Sequence, residues 1–194
     1  MAYVLAVLEL PESALASLRS LRRPLDDVLW FDPLDDGDIL APLRRSWFDA
    51  WGYVPLTQVA LDEAGVERFD MGLQDIHLPA VTFRISRLTF LLDPEPVRIC
   101  ARIHESPSLS QLVRACEATA RRAGGEVHTF EPLLPLANCL GARREELTRY
   151  SREVEPFRPI EVSCDRFLMC TRATAQTMES LQLRLKVDYE YALG

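Results

Sequence analysis

His77, His104 and His128 are the side chains of this chain best suited to moving protons near neutral pH. Only one of them has a hydroxyl two places on, in His104-Glu105-Ser106. An imidazole beside a phosphate-holding hydroxyl would be half of an acid–base apparatus for phosphate chemistry. Such a triplet also arises easily by chance, and Ser106-Pro107-Ser108 reads as a helix start. The plainer reading of His104 is a surface-turn histidine whose neighbours cap that helix. His77 precedes Leu78-Pro79, and His128 precedes Thr129 with no hydroxyl two places on. No two histidines form a matched pair.

Other chemistries are weakly signalled. The five cysteines, Cys100, Cys116, Cys139, Cys164 and Cys170, have no C-x-x-C spacing and an odd count, as expected of buried free thiols in a reducing, intracellular compartment. Cys164 and Cys170 are the closest thiol pair and have no histidine beside them, so no metal site is expected. Cys139, after Asn138, has no histidine nearby in sequence to activate it. Neither glycine-rich phosphate loop is present, and no cofactor is implied. A net charge of −7 argues against a broad nucleic-acid-binding face but leaves room for a small basic cleft. For such a cleft Arg84, Arg87 and Arg102 are the best candidates, because Arg22-Arg23, Arg44-Arg45, Arg121-Arg122 and Arg143-Arg144 read as solvated helix faces.

The elements that would carry these residues follow from periodicity. Apolar alternation predicts a strand over about Tyr3 to Leu10, without the basic flank of a signal peptide, and helical spacing follows Pro11. Ile39, Leu40, Leu43, Trp47, Phe48 and Trp51 predict a second helix, after an apolar run from Val28 to Phe31. Trp30, Trp47 and Trp51, with Phe31 and Phe48, read as packing rather than as base-stacking platforms.

Tyr53 to Leu61 is a strand whose Pro55 must stand at an edge or a bulge, and Asp62 to Leu73 is a helix. Val81 to Leu92 and Val97 to Ile103 alternate as a hairpin, and a helix runs from Pro107 to Gly124-Gly125. Thr129 to Asn138 forms a leucine-proline stretch, and Arg143 to Tyr150 a charged helical connector. The run from Ile160 to Tyr189 is expected to supply two last strands. Positions 1–194 contain no compositional linker, so one domain is expected, and no apolar run reaches the roughly 18 residues of a membrane span.

This order resembles the 2H phosphoesterase superfamily, meaning the LigT-like RNA cyclic phosphodiesterases and their A-kinase-anchoring-protein-like relatives. The resemblance rests on the start Tyr3-Val4-Leu5-Ala6-Val7-Leu8-Glu9-Leu10-Pro11, on the hairpin from Val81 to Ile103, and on Phe130-Glu131-Pro132. It implies a bilobal α+β fold, two antiparallel-sheet lobes around a central cleft with outer helices. Each lobe of that family carries one H-x-[S/T] motif. One imidazole takes a proton, the other gives one, and the hydroxyls hold the phosphate.

The family pattern H-x-T-L-x-x-L falls here on Pro55-Leu56-Thr57-Gln58-Val59-Ala60-Leu61, which keeps Thr57 and replaces the histidine by Pro55. The pattern F-x-P-H-x-T-L falls on Phe130-Glu131-Pro132-Leu133-Leu134-Pro135-Leu136, so Leu133 replaces the histidine and Pro135 the hydroxyl. Leucine and proline side chains cannot titrate. The expectation is therefore a catalytically inactive member that binds a nucleotide, an RNA end or a protein partner, with Thr57, Arg84, Arg87, Arg102, Asn138 and His104 as candidate ligand contacts. An active phosphodiesterase that recruits His104 is the alternative. A structural subunit with a cleft closed by Leu133 and Leu134 is the third reading.

Overall fold

The computed structural model describes residues 2–18, 53–91, 97–128, 132–139, 144–153, 158–172 and 185–194. The helix expected between Ile39 and Trp51, the apolar run at Val28 and the tryptophans lie outside them.

Strand β1 (Ala2–Glu9) alternates so that Val4, Ala6 and Leu8 are buried on one side, and helix α1 (12–18) follows Pro11, whose carbonyl accepts from Ala14 N. Strand β2 (Tyr53–Leu61) runs antiparallel to β1. It passes directly into helix α2 (Glu63–Gln74), where the Asp62 side chain caps the first turn by accepting from Gly65 N at 2.7 Å. Strands β3 (Val81–Leu91) and β4 (Val97–His104) are the expected hairpin. Helix α3 (Pro107–Arg122) starts at the Ser106 cap, with proline in the first turn where a missing N–H costs nothing.

Short strand β5 (Val127–His128) precedes β6 (Leu133–Cys139), helix α4 (Arg144–Glu153) and three closing strands. These are β7 (Ile160–Cys164), β8 (Arg166–Arg172) and β9 (Leu185–Ala192), one more than the sequence pattern suggests. The run divides at Asp165, because the chain there leaves one sheet for the other. Leu181 and Leu183 fall outside the described residues.

The first sheet has the order β5-β2-β1-β8-β9 and the second β6-β4-β3-β7, with every pairing antiparallel. One apolar cluster draws on both sheets: Val4, Ala6, Leu8, Val54 and Leu56 from the first, and Val81, Phe83, Ile85, Ala101, Ile103 and Leu134 from the second. Phe69 and Leu73 of α2 and Leu109, Leu112, Val113 and Cys116 of α3 cover it at helical spacing. Helix α3 packs on both β2 and β3 and so joins the two sheets.

The glycine pair after α3 lets the chain turn back against β2. Gly124 has φ +93°, and a Cβ on Gly125 would stand 1.9 Å from Val59 Cγ2. Gly125→Ala is expected to cost about 1–3 kcal/mol of stability, measured by urea denaturation, because strand and turn must separate to admit the methyl.

Cys100, Cys116, Cys164 and Cys170 are free and buried. Burial above all pushes the Cys164 and Cys170 thiols from 9.0 up to about 11, with Asp165 and Glu9 adding for Cys164 and Asp188 and Glu9 for Cys170. A thiol protonated more readily in the folded than in the unfolded chain contributes stability that is complete below its unfolded value and lost as pH rises through its folded one. The denaturation midpoint is therefore expected to fall between pH 9.0 and about 11, and to fall less steeply in Cys170→Ala.

Candidate functional site

Each sheet buries one face in the shared core; on the opposite faces Val7, Leu168, Cys170 and Cys100 are also buried, whereas Pro55, Arg84, Arg87, Arg102 and His104 are exposed. On β2 the two faces trade places at a bulge. Pro55 stands opposite Val7 and Thr57 opposite Ala6, leaving Leu56 as the extra residue. Proline is tolerated there because a bulge leaves a ladder donor unneeded. Val7 belongs to a separate small cluster with Leu168 and Cys170, on the side of the sheet away from the main core, and Pro55 is exposed.

Ala6 and Leu56 belong to the main core. Thr57, across from Ala6, is 2% exposed, and its Oγ1 has no hydrogen-bond partner among the described residues. In a regular strand residues i and i+2 share a face. The inserted Leu56 breaks that phase, so Pro55 and Thr57 do not share one.

The second stretch that the sequence resemblance aligns with the family pattern lies on β6. Leu133 stands opposite Arg102, Pro135 opposite Cys100 and Asn138 opposite Arg98, with Leu136 as a second inserted residue. Leu134 is fully buried in the main core, so the half-buried Leu133 beside it belongs to the other face. The positions on which the sequence resemblance places the two family histidines, Pro55 on the first sheet and Leu133 on the second, are therefore both on faces turned away from the shared core.

Four of the six ligand candidates come together on that face of the second sheet. Arg84 stands opposite His104, and Arg87 opposite Arg102, with the register shift at Ser86 between the two pairs. All four are exposed. Arg84 is held from its other side by β7, where its Nε donates to Glu161 Oε1 at 2.5 Å. Neither Arg87 nor Arg102 has a carboxylate partner among the described residues, where Arg84, Arg121, Arg166 and Lys186 each have one within 3.1 Å.

Two candidates stand apart. Thr57 is buried in the first sheet. Asn138 is four positions along β4 from Arg102, about 13 Å at the rise of a strand. His104 ends β4 rather than lying in a turn, and the hydroxyl of its H-x-S triplet is committed elsewhere: Ser106 Oγ accepts from Leu109 N at 3.1 Å and lies 3.0 Å from Ser108 Oγ.

Two features lack a motif in the sequence. Tyr53 sits opposite Glu9 and packs, half-buried, against Val7, Leu168 and Cys170. Burial first, then the charges of Glu9 and Cys170, push its phenol up, so it stays protonated. The second is a cavity of about 300 Å³ where β1 ends, α1 begins and β7 passes to β8, lined in part by Glu9, Glu12, Cys164, Asp165 and Arg166. Arg166 pairs with Glu9 of β1 at 3.0 Å and with Glu190 of β9 at 3.1 Å, tying the cavity to β9. Among the described residues no group of three metal-ligating side chains occurs, and no helix is long and apolar enough to cross a membrane.

This α+β arrangement of two antiparallel sheets is the fold of the LigT phosphoesterase structures. E. coli LigT complexed with 3'-AMP matches it at a TM-score of 0.67 and 13% identity, over 99% of this chain and 98% of that one. A second crystal structure of a phosphoesterase matches at 0.64 and 14%, over 100% and 99%. E. coli LigT complexed with NADP+ matches at 0.61 and 14%, over 99% and 97%. No family model matches the sequence, and neither does any curated protein sequence.

The buried hydroxyl of Thr57 gives a direct check on its role. A hydroxyl without a partner contributes nothing to offset its desolvation. Thr57→Val is expected to leave stability unchanged or to raise it by about 1 kcal/mol in urea denaturation, whereas a loss of more than about 1 kcal/mol would show that the hydroxyl is satisfied.

Proposed function

We propose that this chain is a two-lobed binding protein that holds a nucleotide or an RNA end on a phosphoesterase scaffold without cleaving it. One observation carries the reading. The two family histidine positions are Pro55 and Leu133, and beside Leu133 the same sheet face presents Arg84, Arg87, Arg102 and His104. Acid–base catalysis of phosphoryl transfer needs one group that takes a proton and another that gives one. Arginine stays protonated and can do neither, but it grips phosphate oxygens through two N–H groups at once. Retained grip with lost proton carriers is the signature of binding. The solved LigT structures with 3'-AMP, NADP+ and ATP support nucleotides as the ligand class. The free, buried thiols support an intracellular setting, where they stay reduced.

A second reading has its own observation. His104 faces Arg84 across β3 and β4, and it would be the proton carrier if the chain turned over a phosphodiester. A protein partner is favoured by a different surface. Val187 and Tyr189, 45% and 51% exposed, lie on β9 at the edge of the first sheet.

Calorimetric titration with 3'-AMP and 2',3'-cyclic AMP, followed by chromatography of the mixture, separates these readings. Binding of a nucleotide with the cyclic compound recovered intact is the expected outcome. Hydrolysis that disappears in His104→Ala would replace the binding protein by an enzyme, and no binding of either compound would turn attention to the β9 edge.

A further inference from the structure

Like charges directly opposite each other on neighbouring strands destabilise a sheet. Arg87 and Arg102 are such a pair, both exposed, on the face of the second sheet turned away from the shared core. Their strands place side chains about 5 Å apart at the Cβ atoms. The chain has 29 acidic residues and a net charge of −7, so carboxylates are plentiful. None approaches this pair among the described residues.

The contrast with the adjacent cross-strand pair sharpens the point. Arg84 pairs with Glu161, whereas Arg87 and Arg102 stand side by side with no carboxylate partner among the described residues. Substitutions that relieve such a repulsion are easy to find, and a site that tolerates it trades stability for what the charges can bind.

Resting on the ligand-binding reading above, we propose that Arg87 and Arg102 form a seat for a doubly charged terminal phosphate, so that the ligand is a phosphomonoester in preference to a cyclic or internal phosphodiester. Two guanidinium forks reaching from neighbouring strands can each take two oxygens of one phosphate group. A monoester carries close to two negative charges above its second pKa of about 6, which matches the two charges of the pair. A diester carries one and has two of its oxygens tied up as ester links. The seat lies outside both vacated motifs, and Leu133, opposite Arg102 on β6, adds no charge to it. The ligand is thus a nucleoside monophosphate, an RNA end bearing a terminal phosphate, or phosphate itself.

Calorimetric titration at pH 7.5 with inorganic phosphate, 3'-AMP, a short RNA bearing a 3'-phosphate and 2',3'-cyclic AMP tests this on wild type, Arg87→Gln and Arg102→Gln. The monoesters are expected to bind at least about tenfold tighter than the cyclic diester, and each variant to lower monoester affinity about tenfold while changing diester affinity less. Comparison of phosphate, mononucleotide and RNA then shows which source of the terminal phosphate the rest of the face prefers. Because each substitution removes a repulsion, the unliganded variants are expected to melt about 1 °C above wild type. A lower melting temperature in either variant would make the pair a structural feature and overturn the seat. Equal affinity for monoester and cyclic diester, or monoester binding unchanged in both variants, would also overturn the seat while leaving the binding protein in place. Failure of wild type to bind any of the four compounds would overturn both.

Discussion

Helix α3 packs against β2 of one sheet and β3 of the other, and this bridge fixes which face of each sheet is buried in the shared core. Leu109, Leu112, Val113 and Cys116 recur at helical spacing and bury into one cluster shared by both sheets. A sheet with one face committed to such a core has only the other to offer a ligand. Every functional question about this chain therefore becomes a question of which face a residue occupies. In strands that is decided by parity and by the places where parity slips.

Parity slips at both of the strands that carry family motif positions. On β2 the inserted Leu56 puts Pro55 on the open face and Thr57 in the core, and on β6 the inserted Leu136 separates Pro135 from Ala137. In each case a proline immediately precedes the inserted leucine. Proline has no N–H to give to a ladder, so a strand containing it is most comfortable where the ladder is already interrupted. On the resemblance drawn from the sequence, the proline at position 55 is thus more than the absence of an imidazole. It is joined to a backbone irregularity that also removes the threonine hydroxyl from the same face. Restoring a histidine alone would not restore the H-x-T geometry.

Much of the architecture was legible from local chemistry. Asp62 and Ser106 announce helix starts, and both cap as such residues do, because their side chains accept from N–H groups that the first turn leaves free. The hairpin alternation from Val81 to Ile103, and the bulge or edge required at Pro55, are also visible in residue types alone. Less legible were features that depend on partners distant in sequence. The crossing from β7 to β8 at Asp165 has no glycine or proline to mark it, because the chain changes sheets there without reversing in a tight turn. The opposition of Arg87 to Arg102 depends on the register shift at Ser86, which no local pattern signals. The cavity by Glu9 and Asp165 is likewise assembled from segments more than 150 positions apart.

The proposed function requires an anion-gripping face on this scaffold without a proton-transfer pair. Phosphorus NMR of the protein mixed with 2',3'-cyclic AMP and 3'-AMP tests it in one spectrum series, since binding shifts or broadens a resonance and hydrolysis converts one into another. The account predicts a perturbed 3'-AMP resonance, with the cyclic resonance undiminished over hours. Conversion of the cyclic resonance into that of a monoester by wild type, absent in His104→Ala, would contradict it.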